Sequence, residues 1–477
     1  MDILRGRVAW LVATLAISAC TVGPNYRRPS APTPNAFKEA PPEGWKHAEP
    51  ADAIPRGAWW QVYALPELDG LERQVAVSNQ NVMAAIAQYR EARDQIRIAR
   101  SALFPTLTLS PLVGVTEANS SARTSSGGVV TAQGAGIVVD YSLPVDFAYQ
   151  ADVWGSVRRS VTAASATAQA SEADLANILL MNQAQLAQLY FQLHGLDGDA
   201  ILLETTLQLY AQSLQLTKDR MQAGIASGAD VAQAQAQYES TRAQWIDVGV
   251  ARAQFEHAIA VLTGQPPSAL TIPAAQLTLL PPPVPIGLPS ELLERRPDIS
   301  GAERRMAAAN EQIGIAKAAF YPIVSLNASG GFASSSLATL FTWPSRFWAV
   351  APNLALTLFD AGKRHAQVDL SEAAYDATIA TYRQTVLTTF QQVEDQLAAL
   401  RILEKEAAAE DLAVKAAQDA LDIANAQYLA GTVDYLQVIT SQTTALTAQR
   451  AALDILTRRL VASVLLIEAL GGGWTVP

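Results

Sequence analysis

An internal duplication constrains this chain more than any other feature. The stretch Asp94-Gln95-Ile96-Arg97-Ile98-Ala99-Arg100-Ser101-Ala102, closed by Pro105, returns 217 residues later as Glu311-Gln312-Ile313-Gly314-Ile315-Ala316-Lys317-Ala318-Ala319, closed by Pro322. Further on, Gly155 is matched by Gly362, Gln185 by Gln392, Leu193 by Leu400, Ala223-Gly224 by Ala430-Gly431 and Gly264 by Gly471, all at a shift of 207. The fold must therefore use one structural unit twice. The smaller shift leaves the first copy 10 residues longer between Pro105 and Gly155, and the Ser/Gly-rich stretch 119–136 is the natural place for them, as a longer loop.

Each copy holds two segments that alternate in polarity. Leu107, Leu109, Val113 and Val115 share one parity against Thr106, Thr108, Ser110 and Gly114; Ile137, Val139, Tyr141, Leu143, Val145 and Phe147 oppose Asp140, Ser142 and Asp146. In the second copy Val324, Leu326, Ala328 and Phe332 oppose Ser325, Asn327 and Ser329, and Trp348, Val350, Leu354, Leu356 and Leu358 oppose Ala349, Asn353 and Thr357. Period two means two faces, one apolar and one polar. The runs have about the length of membrane-crossing strands, roughly 9 to 11 residues. Aromatics gather at their ends: Phe104, Tyr149, Trp154, Phe320, Tyr321 and Phe359 at one, Phe341, Trp343, Phe347 and Trp348 at the other. A half-buried soluble sheet would alternate too, but the terminal aromatics favour a membrane girdle. Strands in lipid must close into a barrel, and four are too few, so more than one chain is required.

The rest is helical in pattern. Residues Ser156 to Met221 contain no proline and, if continuous, span on the order of 100 Å, with Gly195 and Gly198 as weak points. A turn at Gly224 to Gly228 leads to a returning helix over about 229–262, and the second copy repeats the arrangement over about 363–429 and 435–469. Ala- and Gln-rich stretches such as 163–170 and 231–237 have strong helix propensity and little bulk, which suits close helix contact better than a thick core. Half of the chain is apolar and its net charge is −10, so it has a core to bury but no basic surface for nucleic acid. After the first segment no apolar run is long enough for a spanning helix.

Arg5 and Arg7 precede the apolar run 8–19, which stops at Ile17-Ser18-Ala19-Cys20. A basic start, a short apolar stretch and small residues before a cut describe a secretory signal over 1–19. Cys20, the only cysteine, sits where a bacterial lipobox places its acceptor, so a covalent lipid (palmitate among its chains) is expected there and no disulfide. Thr21 rather than aspartate follows, which resembles an outer-membrane sorting signal.

Taken together, Cys20-Thr-Val-Gly-Pro-Asn-Tyr26 with Pro29, Trp59-Trp60-Gln-Val-Tyr63 with Leu68 and Leu71, Leu292-Leu-Glu-Arg-Arg-Pro-Asp-Ile299 and Ala469-Leu-Gly-Gly-Gly-Trp474 resemble the TolC-like outer membrane factors of tripartite (RND-type) efflux systems, in particular the NodT-type lipoproteins. The resemblance spans nearly the whole chain. It implies a mainly α protein with transmembrane β: an internally duplicated homotrimer whose twelve-stranded outer-membrane β-barrel, four strands per chain, continues into a long periplasmic α-helical barrel. The expected layout is 20–67 as a lipidated extended segment, repeat 1 over 68–264 (helices about 68–103, 156–223 and 229–262; strands about 105–117 and 136–149), and a Pro-rich crossover over 265–290. Repeat 2 follows over 291–471 (helices about 298–320, 363–429 and 435–469; strands about 322–333 and 347–359), with a tail over 472–477.

Implied partners are a periplasmic adaptor (membrane fusion protein), an inner-membrane RND-type transporter and outer-membrane lipids. Arg220, Gly224, Ser227, Asp230 and Val231 match the family's tip pattern in the first copy, and Gly431, Thr432, Asp434, Leu436 and Val438 lie at the tip of the second. These tips are the expected adaptor-docking surface. Locally, Gly224 and Gly431 suit helix stops and Asp230 and Asp434 suit caps. The family's constriction lies on the second-copy return helix and often uses aspartates; here Tyr435, Gln437 and Thr440 occupy that stretch, and Tyr435 fits packing equally. An exit duct for type I protein secretion shares this architecture, and a non-conducting envelope scaffold is a further alternative.

No catalytic or metal grouping stands out, and no cofactor beyond the lipid is expected. His47, His194, His257 and His365 are scattered without ligand spacing and suit ordinary surface or interface positions. The expected function is passive export of small molecules through an outer-membrane channel, with no enzymatic step.

Overall fold

The computed structural model describes residues 21–31, 38, 57–118, 123–126, 129–132, 136–282 and 295–472. The leader, Cys20, residues 283–294 and the tail after 472 lie outside the described residues. The chain divides into two compact units: one of Met1–Pro29, Arg90–Gln169 and Glu303–Ala380, the other of Ser30–Tyr89, Ala170–Ala302 and Thr381–Pro477.

The first unit holds an antiparallel sheet. Its strands are β1 (Thr106–Leu109), β2 (Leu112–Ala118), β5 (Gly136–Ala151), β6 (Ile323–Ser334) and β7 (Arg346–Ala355), in the order β1/β2-β5-β6-β7. β1 and β2 pair with β5 in one unbroken register, Leu109 opposite Val145 and Leu112 opposite Ser142, so they form one strand nicked at Pro111. Proline has no N–H for the ladder, which is why the run expected over 105–117 appears in two pieces. Opposite it, Pro144 lacks a donor as well; it pairs with Gly331, where any Cβ would collide with the Leu143 carbonyl. The fourth strand ends at Ala355 rather than near 359, because Ala355 faces Ile323, the first residue of β6, and beyond it no partner strand remains. The first copy's extra residues are not plain loop: β3 (Arg123–Ser126) and β4 (Val129–Ala132) form a small separate hairpin.

The helices are α1 (Pro66–Ser78), α2 (Gln80–Ser101), α3 (Ser156–Gln222), α4 (Gly228–Leu262), α5 (Pro297–Ala318), α6 (Lys363–Leu429) and α7 (Tyr435–Ala469). A single helix over 68–103 was the expectation, and Asn79 breaks it. Its Oδ1 accepts from the backbone N–H groups of Asn81 (2.9 Å) and Val82 (3.1 Å), capping α2, while its Nδ2 donates to Leu262 O at 2.8 Å. Asparagine favours a cap over a helix interior for this reason. Gly195 and Gly198, conversely, do not interrupt α3. A Cβ at either would press on Thr457 or Leu453 of α7, so these glycines permit a close helix crossing.

The core of the second unit is built by Trp59, Trp60 and Tyr63 in a 3₁₀ turn, with Leu68, Leu71 and Val75 of α1, against Phe191, Leu193, Ile259 and Leu460. The Tyr63 hydroxyl lies 2.7 Å from Ser463 Oγ. His194 is not a surface residue. It is buried, with Nδ1 2.9 Å from Asp197, which also accepts from Arg252 (2.6 Å) and from the Ala275 N–H (3.2 Å). Arg252 donates in turn to Ile272 O at 2.7 Å, and Glu256 accepts from the Ile272 N–H at 2.7 Å. Burial opposes the charge on Asp197, but the bonds from His194, Arg252 and Ala275 outweigh it and hold the carboxyl below its usual range. This network latches the described part of the crossover segment, 265–282, to α3 and α4.

One acid in this core lacks such help. Glu72 is fully buried in α1, and neither carboxylate oxygen has a hydrogen-bond partner among the described residues. Burial alone pushes its pKa well above 4.5. The folded state therefore holds a proton that the unfolded chain releases from about pH 4.5 upward, so stability falls as pH rises from there toward the raised value. Glu72→Gln is expected to remove this loss. Urea midpoints at pH 5 and pH 8 should converge in the variant and differ in the parent, whereas equal pH dependence in both would refute the assignment.

Candidate functional site

Three places bear on function: the sheet, the segment after Cys20, and the helix-hairpin tips. Across the sheet the apolar parities of all four strands fall in register. Leu107 faces Phe147, which faces Ala328, which faces Val350; Leu109, Val145, Gly330 and Trp348 form the next row. The alternate rows are polar or small: Thr108, Asp146, Ser329 and Ala349, then Gln150, Ser325 and Asn353, with Ser329 Oγ donating to Asp146 at 2.7 Å. Nothing among the described residues covers the apolar side, Leu107 at 69% and Trp348 at 81% exposure. Leaving such surface in water costs ~25 cal/mol per Å², and a lipid environment removes that cost. Aromatics rim the unit: Trp154 stacks on Tyr321 at 4.7 Å and donates to Pro322 O at 2.7 Å, and Arg346 lies over the Trp343 ring. Both outer strands, β1/β2 and β7, have one unpaired edge. None of the described helices is long and apolar enough to cross a membrane.

The segment from Thr21 is held within the first unit by a clamp to which both repeats contribute. Arg159 donates to the carbonyls of Val22 (2.7 Å), Gly23 (3.1 Å) and Pro24 (3.2 Å) and pairs with Glu311 at 2.7 Å. Asn310 donates to Pro24 O and Tyr26 to Glu303. Gly23 has a positive φ of 109° and lies against Gly314, whose backbone a Cβ on Gly23 would strike, while a Cβ on Gly314 would strike the Arg159 side chain. The first-copy counterpart of Gly314 is Arg97, an exposed residue paired only locally with Asp94. Thr21 packs on Gly155, just past the end of β5. Cys20, the expected lipid acceptor, lies outside the described residues.

The second unit holds both hairpin tips. After α3, Gly224 takes a φ of 74°, and the N–H groups of Ile225 and Ala226 return to Arg220 O; after α6, Gly431 takes 75° and Thr432 N–H returns to Gln427 O. These are left-handed helix stops that glycine adopts without a Cβ penalty. The caps differ from expectation. Ser227, not Asp230, occupies the cap of α4: Ser227 Oγ accepts from Asp230 N–H at 3.2 Å while Asp230 accepts from Ser227 N–H at 2.8 Å, a reciprocal capping box. Asp434 sits at the cap position of α7, but its side chain makes no capping bond.

Arg220 joins the tips, donating to Tyr428 O at 2.7 Å with its guanidinium 4.4 Å over the Tyr428 ring. Behind it Leu214, Ala234, Tyr428, Tyr435 and Val438 pack together, with Val231 against them. Tyr435 is therefore a packing residue rather than part of an exposed constriction. Burial, then its neighbour Tyr428, pushes its hydroxyl up to about 12, so it stays protonated at neutral pH. Gln437 and Thr440 do lie on the exposed side of α7, together with Leu436, as Gly431 and Thr432 do in the turn. Exposed Ile225, in the first turn, belongs with this surface; an apolar side chain inside a Gly-Ser turn was the signal that would have singled it out.

A sheet apolar on one face, open at both edges and joined to paired long helical hairpins defines an outer-membrane channel subunit. Residues 71–265 and 288–472 match the family described as outer membrane efflux protein, and the chain belongs to that family. It is 32% identical over 470 residues to the probable efflux pump outer membrane protein TtgC of Pseudomonas putida, covering 97% of this chain and 94% of that protein, and 32% identical over 471 residues to outer membrane protein OprJ of Pseudomonas aeruginosa, covering 98% and 96%. Among solved structures, the outer-membrane channel OprN superposes with a TM-score of 0.84 at 29% identity, over 95% of this chain and 100% of that one. The chain is thus one protomer of a trimeric outer-membrane channel with a helical periplasmic extension.

Replacing Gly314 by arginine, its repeat counterpart, should evict residues 21–24 from their slot. A cysteine pair placed at Val22 and Asn310 is expected to crosslink in the parent and not in Gly314→Arg. Arg220→Ala removes a charge-assisted bond and a ring contact and should destabilise the tip by about 2 kcal/mol, read as faster amide exchange in residues 428–434 with exchange in the sheet unchanged.

Proposed function

We propose that three copies of this chain close one barrel and export small molecules that an adaptor and an inner-membrane RND-type transporter deliver to its helical end. The observation that carries the reading is the sheet: four strands share one unbroken apolar face and leave two edges that only neighbouring copies can pair. TtgC is named an efflux pump outer membrane protein, which supports the same role here. Energy comes from the transporter, and the channel needs no reaction of its own; the relatives are efflux channels rather than enzymes.

Cys20 carries the lipid in this reading. Thr21 is held against Gly155 at the base of β5, which supports an acyl group at the membrane boundary. The docking surface comprises Arg220, Gly224, Ser227, Asp230, Val231, Gly431, Thr432, Asp434 and Leu436, with Ile225 added for its exposure. The gate is assigned to Gln437 and Thr440, both exposed on α7 beside that surface.

A photo-crosslinker at Ser227 or Thr432 in cells is expected to capture the adaptor, and with it a proton-driven transporter. Capture of an ATP-driven protein exporter would instead move the cargo class to secreted proteins. Gly224→Val and Gly431→Val force a left-handed residue to carry a branched side chain, at about 1–2 kcal/mol each, and should cut export and adaptor crosslinking together while trimer assembly persists; unchanged crosslinking would remove the docking assignment.

A further inference from the structure

Between the distal parts of α3 and α6 and the first half of α7 lies a cavity of about 420 Å³. It sits behind the tip cluster and is walled by both repeats: Leu209 and Tyr210 come from the first, Tyr428, Tyr435, Gln442 and Leu446 from the second. Its size is that of a small-molecule site. Among the described residues that line it, none carries a charge, although charged side chains are frequent elsewhere on these helices. A charged occupant would meet no counter-ion among these residues, so the lining favours an uncharged one.

Three buried polar atoms at this cavity are unused. Tyr210 Oη, Tyr428 Oη and Gln442 Oε1 have no hydrogen-bond partner among the described residues, while Gln442 Nε2 is committed to Ser213 at 3.4 Å. Buried polar atoms left unpaired are costly, and natural proteins rarely retain them without a reason. Gln442 Oε1 accepts only, whereas a tyrosine hydroxyl donates and accepts, so a ligand hydroxyl has the donor and acceptor that Gln442 and Tyr428 call for. Water alone would satisfy them too, but it leaves the leucine side chains and tyrosine rings wet.

We propose that this cavity binds a small, uncharged aromatic amphiphile, its ring among the tyrosines and leucines and its hydroxyl between Tyr428 Oη and Gln442 Oε1. The site is separate from the exposed tip surface and from Gln437 and Thr440. Since its walls come from both repeats, an occupant ties the two helical hairpins together.

The test is equilibrium dialysis of 2-naphthol against the purified trimer in detergent, with a detergent-only blank and with 2-naphthoate as an anionic analogue of similar shape. Saturable uptake near one per chain is expected, with naphthoate at least about tenfold weaker and a Tyr428→Phe/Gln442→Leu variant at least about fivefold weaker, the loss that follows from removing hydrogen bonds. Ala445→Phe fills the cavity and should abolish uptake while size exclusion still shows the trimer; should that variant not assemble, the double variant decides. Uptake no greater than the blank, equal affinity for naphthoate, or unchanged affinity in the double variant overturns the proposal.

Discussion

Backbone hydrogen bonding in hydrocarbon governs this molecule. In water an unpaired strand edge is tolerable, because solvent supplies the missing partners; in lipid each unpaired N–H or C=O costs several kcal/mol. The sheet offers lipid an apolar face and presents two such edges at once, β1/β2 and β7. Neither edge is covered by another described element of the chain, so assembly with further copies is a condition of entering the membrane. The side chains follow from this: alternate residues are apolar because only one face meets lipid, and Pro144 of β5 stands beside Gly331 of β6.

The duplication supplies the parts and its divergence supplies the functions. Each copy brings a pair of strands and a pair of long helices, which is why the two halves match at Gly155 and Gly362, or at Gly224 and Gly431. Where one copy departs from the other, something specific has been added. Gly314 replaces the arginine of the first copy and opens the slot into which residues 21–24 are drawn by Arg159. Two departures, Gly314 for Arg97 and Arg159 for Ala366, thus let the repeats together hold a segment that neither would hold alone.

Much of this was legible in the sequence. Period-two alternation marked all four strands because it reports which face is buried, and proline-free stretches marked α3 and α6 because nothing in them breaks the helical hydrogen bonds. Punctuation was harder. Asn79 ends one helix and starts the next through bonds to its own backbone neighbours and to Leu262, and the distant Leu262 contact has no local signal. The nick at Pro111 could have been inferred from the missing donor, whereas the β3–β4 hairpin lies in Ser/Gly-rich sequence that gives little alternation. His194 and Asp197 are only three residues apart, but Arg252 lies 55 positions from Asp197, so the latch was not evident until the fold brought Arg252 in. At the tips, glycine stops were evident, but the division of labour between Ser227 and Asp230, and the inward turn of Tyr435, depend on packing.

The unequal caps at the two tips make one turn dependent on the other. The first hairpin turn is fastened by the reciprocal Ser227 and Asp230 bonds, while Asp434 makes none for α7. A helix cap is worth about 1 kcal/mol, roughly a fivefold difference in local opening. The α6–α7 turn, without that cap, draws its hold from Arg220 of α3 through Tyr428 O, so the second hairpin's turn depends on a side chain of the first.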